Sequence, residues 1–203
     1  SPPKSVKSNE TNEVDGMKIM KRVSVAVLSL TMVVPVTWAE NFHLYKTDAF
    51  GEQSYSSSQH WTRDADNTQA TSGPHAGGDY LVAQDRTLRT IASSTTGDLV
   101  FGGDSLTLGA TSGTGALALK TYYSCVPVIN NLILVNGSIN ASWDTATAPG
   151  GIAGTATVRA TTDNPFKIDL QDGRTLRLFL TLKGERDACL ELVDNKCFPS
   201  SET

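Results

Sequence analysis

Residues 101–108 read Phe-Gly-Gly-Asp-Ser-Leu-Thr-Leu, and residues 128–139 read Val-Ile-Asn-Asn-Leu-Ile-Leu-Val-Asn-Gly-Ser-Ile. In both, Leu106/Leu108 and Leu132/Leu134 set branched apolar side chains at every second position. That is the period of a strand with one buried face. The same unit returns at Leu117/Leu119, as Ile168/Leu170 and as Leu176/Leu178. Shorter alternations occur at 80–82, 87–91, 99–101 and 156–159. No segment of ten or more residues between 78 and 183 keeps a helical period, so the body of the chain is expected to be all-β.

Two architectures fit such a run of short strands. One is a right-handed parallel β-helix, or solenoid, with inward Leu, Ile and Val stacked in columns. The other is an antiparallel β-sandwich, with a lectin-like jelly roll as one form. Asn130-Asn131, beside Leu132, favours the solenoid, because asparagines stacked at rung corners hydrogen-bond one another. Asn136-Gly137 and Asp172-Gly173 are tight-turn signals that favour hairpins. The repeating Leu-x-Leu unit weighs for the solenoid, and Leu106, Leu108, Leu117, Leu119, Leu132 and Leu134 are expected to share one core. The expected divisions are a polar extension (1–16), a signal peptide (17–39), an irregular lead-in or cap (40–77), a solenoid-like domain (78–183) and a tail (184–203).

The stretches Phe101–Leu108 and Ile129-Asn-Asn-Leu-Ile-Leu134 resemble the F-x-G-x-S-L-x-L and I-x-N-L-x-L rungs of β-solenoid passengers and autotransporter-associated repeats in large bacterial surface proteins. Asp79-Tyr80-Leu81-Val82 and Leu88-Arg89-Thr90 are similar to the lead-in of those repeats. The resemblance covers roughly residues 78–140 and implies a solenoid; a fold of this kind names no function. The chain departs from the family in having no C-terminal membrane barrel, which makes it an N-terminal piece or a truncated copy in that comparison.

Met17 opens a three-part export signal. Lys18, Lys21 and Arg22 form a basic start, Val23–Val36 is a 14-residue uncharged run, and Thr37-Trp38-Ala39 supplies small residues at the −3 and −1 positions. The run is short of the roughly 20 residues of a membrane span. Cleavage after Ala39 would start the mature chain at Glu40, so the expected location is extracellular or the cell surface, with membrane contact only during export.

The net charge is −4, which offers no basic field to a polyphosphate and argues against nucleic acid as a partner. The cysteines are Cys125, Cys189 and Cys197, too few for a disulfide framework; Cys189 and Cys197 are close enough in sequence to bridge. His43, His60 and His75 all precede residue 76, no CxxC or HExxH stretch occurs, and no metal or other cofactor is expected.

Gly-Asp-Ser-Leu at 103–106 matches the opening of a hydrolase motif, but a strand follows Ser105 and no histidine lies downstream, so Ser105 reads as a solvent-facing strand residue. Asp163, Asp169 and Asp172 are the densest acidic group. They would matter to a polysaccharide-cleaving enzyme only if they converged beside a basic residue. Tyr122, Tyr123 and Trp143 are the candidate ligand-binding residues, since exposed aromatic rings stack on the apolar faces of sugars. The leading expectation is therefore a non-catalytic, adhesin-type module that binds a glycan or another cell-surface polymer. The alternative is a carbohydrate-active enzyme or its binding domain.

Overall fold

The computed structural model describes residues 39–90, 97–120, 125–141, 150–170 and 176–193. Among them are 14 β-strands and no helix. They are β1 (Glu40–Leu44), β2 (Trp61–Arg63), β3 (Thr68–Gln69), β4 (Gly78–Val82), β5 (Arg86–Arg89), β6 (Gly97–Val100) and β7 (Ser105–Leu108), then β8 (Gly115–Leu119), β9 (Cys125–Leu134), β10 (Gly137–Ala141), β11 (Gly150–Val158), β12 (Phe166–Asp169), β13 (Leu176–Gly184) and β14 (Leu190–Val193). One sheet runs β13-β11-β9-β7-β4-β1-β2-β3, with β6 also on β9, and the second runs β14-β12-β10-β8-β5. Every pair is parallel except β1–β2 and β2–β3. The chain alternates between the two sheets, which makes a parallel β-helix and rules out the antiparallel sandwich.

Register turns the Leu-x-Leu units into columns. Phe42, Tyr80, Leu106, Leu132, Ala156 and Leu182 lie partner to partner across successive rungs. In the second sheet the column is Leu88, Leu117, Ile139, Ile168 and Leu192. All but the last member of each column are buried in one core, as are Leu108, Leu119 and Leu134. Each leucine so buried contributes roughly 1.5–3 kcal/mol of transfer free energy. Along the first column Leu106, Leu132 and Leu182 are 26 and 50 residues apart, so one rung takes about 25 residues.

Both local signals, the Asn-Gly turn and the Asn-Asn pair, act in space differently from their sequence reading. Asn136-Gly137 does not close a hairpin; it is the corner where the chain leaves β9 for β10 in the other sheet. Gly137 has φ +139°, and a Cβ there would lie 2.0 Å from the Gly115 carbonyl of the preceding rung, so the corner packs backbone on backbone. Asn130-Asn131 does not form an asparagine stack. Ile129 pairs with Gly154 and Leu132 with Ala156, so the two exposed asparagines face the single residue Thr155 in a β-bulge. On the other side of β9 the same point faces the 101–104 link between β6 and β7. The bulge lets the long strand β9 bend where that link also turns.

Residues 40–77 do more than lead in. β1 lies parallel to β4 as a full member of the stack, and β2 and β3 then fold antiparallel across its outer edge. Residues 190–193 likewise continue the second sheet as β14, although the charged composition of 184–203 suggests a helical turn or a frayed tail.

Candidate functional site

The densest chemistry among the described residues lies in the cap, in the loop between β1 and β2. Asp48, Glu52 and His60 bring one ligand atom each within 4.8 Å of one another. Asp48 and His60 are buried. Asp48 Oδ1 accepts a 2.6 Å hydrogen bond from Ser54 Oγ and lies 2.9 Å from His60 Nδ1. Its Oδ2 accepts from the backbone N–H of Ser54 and of Arg89, both at 3.0 Å. His60 Nε2 is 3.5 Å from Glu52 Oε1. The Ala49 amide, helped by Lys46, holds the Glu52 carboxyl below the usual carboxylate range.

This arrangement has the Asp–His half of an acid–base dyad, but its far nitrogen faces a second carboxylate and no nucleophile. Four donors already surround Asp48, so a cation would have to displace backbone amides to bind there. What the cluster does is mechanical. The Asp48 carboxylate grips Arg89 of β5, and the Asp48 amide donates to Thr87 O at 3.0 Å, so the cap loop is fixed to the first rung of the second sheet. In sequence His60 is only one of three early histidines. Asp48 and Glu52 carry no motif, and only the fold of the loop brings them to it.

An aromatic plug completes the cap. Trp61 is fully buried, meets the Tyr80 ring edge-on at 4.8 Å and donates from Nε1 to Ser54 O at 2.7 Å. Phe42 stacks on Tyr80, also at 4.8 Å, and Phe101 meets it edge-on at 5.4 Å. Burial pushes the Tyr80 hydroxyl up to about 12. The rings and the Pro74 backbone together explain Phe101-Gly-Gly-Asp. A Cβ on Gly102 would lie 2.1 Å from Pro74 O, and one on Gly103 would enter the Tyr80 and Phe101 rings.

On the wall, a groove of about 250 Å³ crosses three successive rungs where the chain enters the second sheet. Thr114, Asn136, Ser138, Asn164 and Lys167 line it, with Gly115 and Gly137 as its floor. The lining is hydroxyl, amide and one ammonium, with Ala116 and Pro165 as its apolar part and no aromatic ring or carboxylate.

Tyr122, Tyr123 and Trp143 lie outside the described residues, as do Asp172, Cys197 and the signal segment, and so does the side chain of Cys125. Asp163 is exposed in the turn before β12 and Asp169 half-buried at that strand's far end. They are therefore separated by the whole strand, about 10 Å or more. Ser105 is corrected: it is buried, and its hydroxyl donates to Asp79 Oδ1 on the adjacent rung instead of facing solvent. No family model, curated protein or solved structure matches this chain.

Proposed function

We propose that this chain is a non-catalytic structural module of the cell surface or extracellular space, an adhesin-type solenoid that offers its wall to a glycan or a similar hydroxylated polymer. The observation that carries the reading is the groove across three rungs. A neutral polyol is bound by hydroxyl and amide groups in a shallow trough, and Thr114, Asn136, Ser138 and Asn164 supply those groups at successive levels of the stack. A repeating wall also suits a repeating ligand, because each rung can meet one more unit. The cap cluster supports the non-catalytic half of the reading, since its acid and imidazole are engaged in holding a loop.

A glycan array probed with the purified chain tests this directly. Binding that falls about tenfold in Asn164→Ala and Lys167→Ala, with the fold intact by circular dichroism, is the expected result. Binding unaffected by both substitutions would move the site away from the groove, and turnover of any bound glycan would replace the module with an enzyme.

A further inference from the structure

The two inward columns lose their cover together at the last rung. In the first, exposure is 0% at Leu132 and Ala156 and 53% at Leu182; in the second it is 0% at Ile139, 4% at Ile168 and 65% at Leu192. Leu178 and Phe179 are also exposed on β13. Among the described residues β13 and β14 are the terminal strands of their sheets, so each also presents one row of backbone donors and acceptors that no described strand pairs. The opposite end is closed, because β2 and β3 lie across the edge of β1 and Thr47 and Asp48 take the outer edge of β5.

We propose that this open end joins a second copy of the chain tail to tail, with β13 of one copy antiparallel beside β14 of the other. Three observations select this occupant. At the capped end the outer edges of the rung strands β1 and β5 are both taken, so copies do not stack rung on rung head to tail and the contact closes as a two-fold. Charge then chooses between two-folds. β13 carries only Arg177 and Lys183 as charged residues, so laying it against its own copy opposes basic to basic. A two-fold axis through the turn at 185–189 exchanges β13 with β14. Leu182 and Leu192 point inward, so Lys183 and Glu191 point outward, each within two residues of that turn. The axis therefore sets Lys183 beside the partner's Glu191 and lets the inward leucines of the two copies complete each other's columns.

The area sets the strength. β13 is about 30 Å long and β14 about 13 Å, and at about 10 Å of width each the two open edges cover roughly 430 Å² per copy and 860 Å² in all. That is the size of a weak, transient interface, so the dimer should dissociate on dilution.

Sedimentation velocity on the purified full chain between about 1 and 100 µM tests the proposal, and a monomer–dimer equilibrium is the expected result. Leu182→Glu combined with Leu192→Glu should abolish the dimer while leaving the circular dichroism unchanged, because both side chains are exposed in the single copy. Lys183→Glu and Glu191→Lys should each weaken dimerisation by about tenfold, and their combination should restore it. A chain that stays monomeric throughout, a dimer that survives the double glutamate variant, polymers that lengthen with concentration, or a charge swap that fails to restore association would each overturn it.

Discussion

The two ends of the solenoid are built from the same alternation and treated in opposite ways. At the first end the column opens with Phe42 stacked on Tyr80, Trp61 and Phe101 close on Tyr80, and the edge of β1 is taken by an antiparallel strand. At the last end the same column stops at Leu182 with half of that side chain exposed, and no strand among the described residues lies beyond β13. A solenoid rung gets half its burial from each neighbour. The end with a built cap should therefore be rigid and sensitive to substitution, and the open end loose and tolerant.

The largest expected effect is at the cap. Trp61→Ala removes a fully buried indole together with its hydrogen bond to Ser54 O, and should cost about 3–5 kcal/mol by urea denaturation. A loss below about 1 kcal/mol would mean that the cap is an ornament on a stack that closes without it. Next comes Asp48→Ala, which strips partners from the buried amide and hydroxyl of Ser54, the part-buried amide of Arg89 and a buried imidazole. About 3 kcal/mol is expected, with faster hydrogen exchange at Ser54 and Arg89 as the local sign.

Tyr80 gives the comparison a pH axis. Its hydroxyl is raised from 10 to about 12 by burial, so the unfolded chain releases that proton first as pH rises. The contribution is whole below pH 10 and is lost as pH climbs from 10 through about 12. Alkaline destabilisation of about 1–2 kcal/mol over that window should be absent in Tyr80→Phe. An unchanged alkaline profile in that variant would show that the plug already admits water.

How much of this is legible in the sequence follows from what each feature needs. The Leu-x-Leu alternation is local, so the strands and the inward set Leu106, Leu108, Leu117, Leu119, Leu132 and Leu134 can be read from period alone. The same period favours stacked strands without deciding for them, because Asn136-Gly137 is equally good at a hairpin and at a rung corner. What separates the two is the Gly115 carbonyl one rung away, a contact across 22 residues. The cap cluster is invisible for the same reason: Asp48 meets the Arg89 amide across 41 residues and no spacing rule joins them. Ser105 reads wrongly as solvent-facing because its partner, Asp79, belongs to the adjacent rung.

The smallest expected effect is the sharpest test of the difference between the ends. Leu132 and Leu182 belong to one column, both pair with Ala156, and both point inward. A rule based on sequence pattern treats them alike. Burial does not, since Leu132 is 0% and Leu182 53% exposed. Leu132→Ala should cost about 2–5 kcal/mol, because it removes transfer free energy and leaves a cavity walled by two rungs. Leu182→Ala has a wall on one side only, so no cavity is closed and roughly half of the transfer term is already absent. Its cost should stay below about 1 kcal/mol when measured on dilute protein. Repeating the pair at high concentration separates intrinsic looseness from missing cover. If a second copy seats on the last rung, Leu182→Ala becomes costlier as concentration rises while Leu132→Ala does not change. Equal costs for the two leucines in dilute solution would mean that the last rung is covered within the single chain, and the contrast between the two ends would fall.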